Sequence, residues 1–457
     1  MVHFIQYLLL ICVLVAAILP SSIATSASIE LFLVIGLFLT SLANKRLTLL
    51  SAFTAAFAYM IPPEAILGEG EIIAKWGEEN VLVGYRVLML SFVSLYVGFL
   101  VFRKRRERLG RKFACVCPLN RSRAKALFII LTIFCVTLFS PMIVYGLTTG
   151  RGSSSLYNPE DGGGLLFNIG VLGYFLFALL YVICGFWAYY FSSKSYDKFA
   201  FLKAILYSSP ILLIGLASGT RYVLCFMLAC LLFPWIYILD PKKIKWFVCG
   251  GIALMALFFA MKYSRYGGFD LSVLAEPEIS QTTSTSSVVE KMAEKGSPEG
   301  LIRNMAMINL YTQSHSYTYG KSFGAVVYFW IPRFIWEDKP TLIDHWLIRE
   351  YESVGPGFST ASSFCGELFM DFGYFCVVLC FFFGGIMARL DAYVERVFCT
   401  HEFFPTVVSG LVLGWAFFMT RSTVTATIPL VLGSAVAFVL YKILLIPNAT
   451  PNNRSFR

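Results

Sequence analysis

Charge is what this chain has least of. Only 14% of its 457 residues are Asp, Glu, Lys or Arg, while 58% are hydrophobic; a soluble protein of this size carries about 25% charged residues. That shortage excludes a soluble enzyme and points to a polytopic membrane protein. A basic segment ahead of the first apolar run is missing, as is a convincing cleavage site, so this run is expected to remain as a span rather than leave as a signal peptide. No glycine-rich nucleotide loop lies in the basic connections, which weighs against an ATP-driven pump. There is no internal repeat. Most of the twelve cysteines fall inside apolar runs, where Cys behaves as a small apolar residue. Cys115 and Cys117 lack a second pair or a nearby His to complete a zinc site. Disulfides and metal clusters are therefore not expected.

What the chain does have is apolar length. Runs of roughly 17 to 25 residues are long enough to cross the hydrocarbon, and twelve occur: about 4–19, 28–43, 47–62, 80–102, 126–148, 164–192, 199–218, 221–239, 246–263, 364–388, 403–420 and 424–446. The third is short and ends in Pro62 and Pro63. The expected fold is all-α, a single membrane domain over residues 1–457 with about twelve transmembrane helices. Short cytoplasmic loops are rich in Lys and Arg. Alternate connections (44–46, 103–125, 193–203, 240–245, 389–402 and the tail after 442) hold 23 of the 37 basic residues but only 6 of the 27 acidic ones. Both termini are thus expected in the cytoplasm. The net charge of +10 is then a topology signal and not a nucleic-acid footprint, although the polybasic stretch 103–112 also suits anionic lipid.

One segment breaks the pattern. Residues 264–363 form a large outer loop with a polar "SQTTSTSSV" stretch, an amphipathic helix expected near 288–312, and "YGKSFGAVVYFWIPRFIWEDKPTL". The apolar core of that last part, 322–332, is too short to span at about 1.5 Å per residue, so a re-entrant or interfacial segment is expected near 322–340.

Cations collect on the same side. Arg221 interrupts "LIGLASGTRYVLCFMLACLLFPW" where two spans meet, after a Gly-Thr turn; Arg421 follows span eleven at the same depth. Arg265 follows span nine, and Arg333 and Lys339 flank Pro332 and Pro340. Each alone fits a side chain snorkelling at a helix end. Together they face the leaflet that should be depleted of positive charge, and Arg is suited to bidentate binding of phosphate oxygens. An anionic ligand such as a lipid diphosphate would arrive at this depth. Outer-side proton acceptors are His315, His345, Glu367 and Asp371; the two acids are four apart on one helix face, where capping of a helix start is the alternative. Arg86, about seven residues into span four, is a further candidate that could equally snorkel outward. Tyr317, Tyr319, Tyr328 and Trp330 add aromatic rings to the large outer loop.

The order of these features resembles the Wzy-like oligosaccharide repeat-unit polymerases, which include O-antigen and enterobacterial common antigen polymerases. The resemblance covers roughly residues 200–425: a Gly-Thr-Arg turn between mid-chain spans (Gly219, Thr220, Arg221), "IPRFIWEDKP" at 331–340 in a large periplasmic loop, "FCGELFMDFGYF" at 364–375, and the late Arg421. It implies a GT-C-like bacterial inner-membrane glycosyltransferase. The implied substrate is undecaprenyl-diphosphate-linked oligosaccharide, extended at the periplasmic face, with membrane lipid as its surroundings. A flippase and a chain-length regulator of the same pathway are implied as partners. Arg221 and Arg421 match the role of stabilising the departing diphosphate, with Arg265, Arg333 and Lys339 behind them and Asp371 on the substrate side. His315 or Glu367 would serve as base. No acidic metal motif is visible on the outer side, and no cofactor is expected. Two rivals stay open: an O-antigen ligase-type transferase, and a transporter, which would need ionisable residues along the spans at midplane.

Overall fold

A computed structural model describes residues 2–18, 22–42, 47–103, 120–149, 171–193, 198–218, 221–237, 300–328, 331, 335–336, 343, 347, 350–351, 362–398, 402–422 and 427–444. Among these residues all regular structure is helical. The first five helices are α1 (Val2–Ile18), α2 (Ile23–Ser41), α3 (Leu49–Met60), α4 (Pro62–Trp76) and α5 (Glu78–Phe102). Next come α6 (Arg121–Leu138), α7 (Ser140–Thr149), α8 (Val171–Ser192), α9 (Ala200–Ala217) and α10 (Arg221–Ile236). The remainder are α11 (Leu301–Ser314), α12 (Lys321–Tyr328), α13 (Ser363–Phe372), α14 (Cys376–Phe398), α15 (Phe403–Phe418) and α16 (Thr427–Leu444). Among the described residues, seven helical stretches are apolar and long enough to cross a membrane. Large apolar side chains stand exposed on the flanks, Phe32 of α2, Ile130 of α6, Leu206 of α9 and Val439 of α16 among them, as a lipid-facing surface requires. The expected run 246–263 lies outside the described residues.

Two expected spans take a different form. The helical path begun by α3 does not stop at the tandem prolines. Ile61 N–H still bonds to Phe57 O and Ala65 N–H to Ile61 O, so α4 continues the line past a kink. Pro62 and Pro63 occupy the first positions of α4, where a missing N–H costs nothing. The run 364–388 is not one helix but two. Gly373, at φ +58°, and a short 3₁₀ turn (Gly373–Phe375) reverse the chain, bringing the rings of Phe364 and Phe383 to 4.1 Å and the sulfurs of Cys365 and Cys380 to 3.9 Å. A straight helix would hold residues 364 and 383 about 28 Å apart.

The bundle is built around α5 and α14, which run parallel. A Cβ on Gly98 would lie 2.0 Å from Phe381 O, and one on Gly384 2.1 Å from Leu95 O, so the two backbones touch, as small residues allow between membrane helices. Ser94 Oγ donates to Val377 O across the contact (2.6 Å). Polar groups tie α1 and α2 to α5: Gln6 Nε2 donates to Tyr96 OH (3.3 Å), and Tyr85 OH bonds to the buried Glu30. At one end of the bundle, Asp391 of α14 accepts the first N–H of α3 (Leu49 N, 2.9 Å). The opposite end is marked by Gly77, between α4 and α5.

Candidate functional site

The site lies where α10 and α15 stop short. These helices pack antiparallel, with Cβ positions on Gly410 and Gly414 closing on Cys230 and Phe226, and each has 16 residues, about 24 Å. Each is shorter than a hydrocarbon core about 30 Å thick, whereas α5 has 25 residues, about 37 Å. The shortfall falls at the ends that carry Arg221 and Arg421, because Thr420 meets Met60 at the end of α3. Arg221 opens α10 and Arg421 follows α15, both half-buried. One ring links the two helix ends: Tyr222, next to Arg221 in the chain, meets Phe418 at 5.8 Å, and the Arg421 guanidinium carbon sits 5.7 Å over Phe418. Thr420 Oγ1 donates to Met60 Sδ (3.2 Å), which sets the pair level with the α3–α4 kink. Beyond it α4 continues for 15 residues, about 22 Å along its axis. The two arginines therefore stand on the floor of a recess, deeper than the membrane edge that their positions in the sequence suggest.

Helix α13 starts on this floor. Ser363 N–H donates to Arg421 O (3.1 Å) and Phe364 N–H to Met419 O (3.3 Å). Ser363 takes φ +53°, and its Oγ accepts Gly366 N–H (2.9 Å). The buried Ser362 Oγ beside it has no hydrogen-bond partner. One turn along α13 comes Glu367, 1% exposed, and a turn later Asp371, fully buried. Asp371 receives hydrogen bonds from Thr318 and Ser322 hydroxyls, and its carbonyl accepts Tyr319 N–H (3.1 Å). That carboxylate ties the segment after α11 to α13.

Helix α11 forms the other wall, and sequence reasoning missed its anchoring. It runs antiparallel to α5: Met305 wedges between Gly84 and Gly366, while Asn309 and Gln313 both donate to Asn80 Oδ1 (2.8 and 3.1 Å). Its N-terminus is thus its deep end. There the buried carboxylate of Glu64 accepts the N–H groups of Leu301 (2.7 Å), Ile302 (3.1 Å) and Arg303 (3.4 Å). An acid at a helix N-terminus satisfies orphan donors and complements the helix dipole. Glu64 is one turn past Met60, so Arg303, folded back over Gly300, joins the same level as Arg421. A lone acid after two prolines was the available signal for Glu64. Arg86 lies on α5 two residues past the Gly84 contact, and its buried Nε has no hydrogen-bond partner.

The sequence candidates therefore divide. Arg221, Arg421 and the start of α13 come together, with Glu367 one turn away. His315 does not join them: it is exposed at the far end of α11, stacked on Tyr311 at 4.3 Å, with Nδ1 2.8 Å from Ser314 Oγ. It stands 12 residues from Arg303, about 18 Å along the helix. Tyr317 and Tyr319 meet edge to face nearby (6.5 Å). Arg265, Arg333, Lys339, His345 and Trp330 lie outside the described residues.

Half-buried arginines beside the start of α13 suit an anionic ligand. A family model described as O-antigen polysaccharide polymerase Wzy matches residues 2–450. The chain belongs to the Wzy family. Neither curated proteins nor solved structures gave a match to it. As a Wzy protein it is a multi-pass membrane polymerase of O-antigen repeat units.

Proposed function

We propose that this polymerase transfers a glycan from undecaprenyl diphosphate to the non-reducing hydroxyl of a second lipid-linked repeat unit, at the periplasmic face of the inner membrane. The observation that supports the reading is Arg421 over Phe418, with Tyr222, the chain neighbour of Arg221, against the same ring at the ends of α10 and α15. The hydroxyl oxygen forms the new bond to the anomeric carbon. The bond from that carbon to the diphosphate oxygen breaks, and the diphosphate leaves with the electron pair. Negative charge grows on the leaving group, where preorganised guanidinium groups stabilise it. The hydroxyl proton goes to a carboxylate within reach; Glu367, one turn from the strap that holds Arg421, is better placed for this than His315. Asp371, engaged by two hydroxyls, holds the wall, and Arg265, Arg333 and Lys339 supplement the cation set from the large loop. The positive-inside pattern supports opening of the recess to the periplasm.

Cysteine labelling tests that orientation. With an impermeant maleimide on intact spheroplasts, Tyr319→Cys, 74% exposed in the native chain, is expected to label, and Lys112→Cys only after permeabilisation. The reverse pattern would place the recess on the cytoplasmic side and remove the proposed reaction from the periplasm.

A further inference from the structure

The recess accounts for the head of a lipid-linked substrate but leaves its chain unhoused. Along α13 lies an apolar trough of about 470 Å³, within the range of roughly 300–1,000 Å³ of ligand sites. One wall is the i, i+4, i+8 face of α13, Phe364, Leu368 and Phe372; the other is formed by Leu379, Phe382 and Ile386 of α14. The trough exists because the chain reverses at Gly373 and lays two apolar faces side by side. It opens outward, since Phe382 and Ile386 are 56% and 52% exposed. Met419 and Thr427 line it too, and among the described residues Thr427 is the one hydroxyl-bearing member of the lining.

The trough also reaches the cations. Met419, which lines it, accepts the N–H of Phe364, another lining residue, through its backbone carbonyl, and Arg421 O accepts the neighbouring Ser363 N–H. Trough and arginine are thus connected by two consecutive backbone hydrogen bonds. Two environments adjoin on α13: the apolar side chains of the trough and, at i+3 and i+7 from Phe364, the buried Glu367 and Asp371. A ligand with a long apolar chain ending in a diphosphate would lie along the first and place its head at the floor of the second. We propose that the trough seats the isoprenoid chain of the lipid-diphosphate substrate, admitting it sideways from the bilayer. This rests on the reading that Arg421 meets the diphosphate.

Two experiments on the full-length protein in nanodiscs test it. In the first, one repeat unit is presented on undecaprenyl diphosphate and on a two-isoprene diphosphate. Leu379→Trp and Ile386→Trp narrow the trough and are expected to raise KM for the long-chain donor at least tenfold, with KM for the short-chain donor changed less than twofold. Equal effects on both donors, or none, would overturn the proposal. Arg421→Lys is expected to impair both donors alike. Should it impair neither while the chain-length effect persists, the diphosphate reading fails and the trough stands. In the second, a photoreactive benzoylphenylalanine at Phe382 is irradiated with undecaprenyl diphosphate present, and the adduct is weighed. The isoprenoid adduct is expected; a phospholipid adduct alone, or a cross-link to a second copy of the chain, would overturn the assignment.

Discussion

Arg421→Lys and Arg221→Lys are each expected to slow polymerisation roughly 10- to 150-fold at normal membrane abundance. Lysine keeps the positive charge and snorkels as well as arginine, so a residue that merely anchored a helix end would tolerate it. It loses the planar fork that meets two phosphate oxygens at once. A hydrogen bond to a charged group is worth about 1.5–3 kcal/mol, and about 1.36 kcal/mol is a decade in rate, which gives the stated range when the bond tightens in the transition state. The recess strengthens the expectation, because charges removed from bulk water interact at a lower effective dielectric. Polymer ladders and turnover in a complemented deletion strain, normalised to protein level, measure it. Wild-type ladders from both lysine variants would return the two arginines to a structural role.

Glu64→Ala is expected to cost more than any single arginine change, and to cost it in stability. The carboxylate receives three N–H groups at the deep end of α11, in a setting where it is itself fully buried. Removing it strands those donors at about 1 kcal/mol or more each, at least about 3 kcal/mol in all, and removes the charge that complements the helix dipole. Glu64→Gln keeps an acceptor oxygen and should fall between wild type and alanine. Thermal unfolding of the detergent-solubilised protein checks the order. An alanine variant as stable as wild type would show that α11 is held by packing alone, through Met305 between Gly84 and Gly366.

Much of this architecture was legible because membrane helices advertise themselves by apolar length. The ends of α2, α5, α9 and α16 fall within a few residues of the runs that announce them. The misses share a cause: an apolar run does not disclose where its backbone turns. Nothing in the hydropathy of 364–388 marks the reversal, and Gly373 is one glycine among several until its positive φ is seen. Pro62 and Pro63 read as a stop, yet at the start of a helix proline is permitted, so α4 rises past them and builds the wall. The arginines were visible as charges within apolar sequence. Their depth was not, because it follows from α10 and α15 being 16 residues long beside the longer α5. Glu64 and Arg303, 239 residues apart, acquire meaning only once α11 is placed.

The most direct measurement is the binding of undecaprenyl diphosphate to the purified protein, with undecaprenyl monophosphate as the comparison. If Arg221 and Arg421 grip the diphosphate, wild-type protein prefers the diphosphate, and Arg421→Lys loses about tenfold or more of that preference, near 1.4 kcal/mol, while the monophosphate is held almost unchanged. Equal affinity of wild type for the two lipids, or an unaltered preference in both Arg221→Lys and Arg421→Lys, would contradict the assignment of the recess as the diphosphate site.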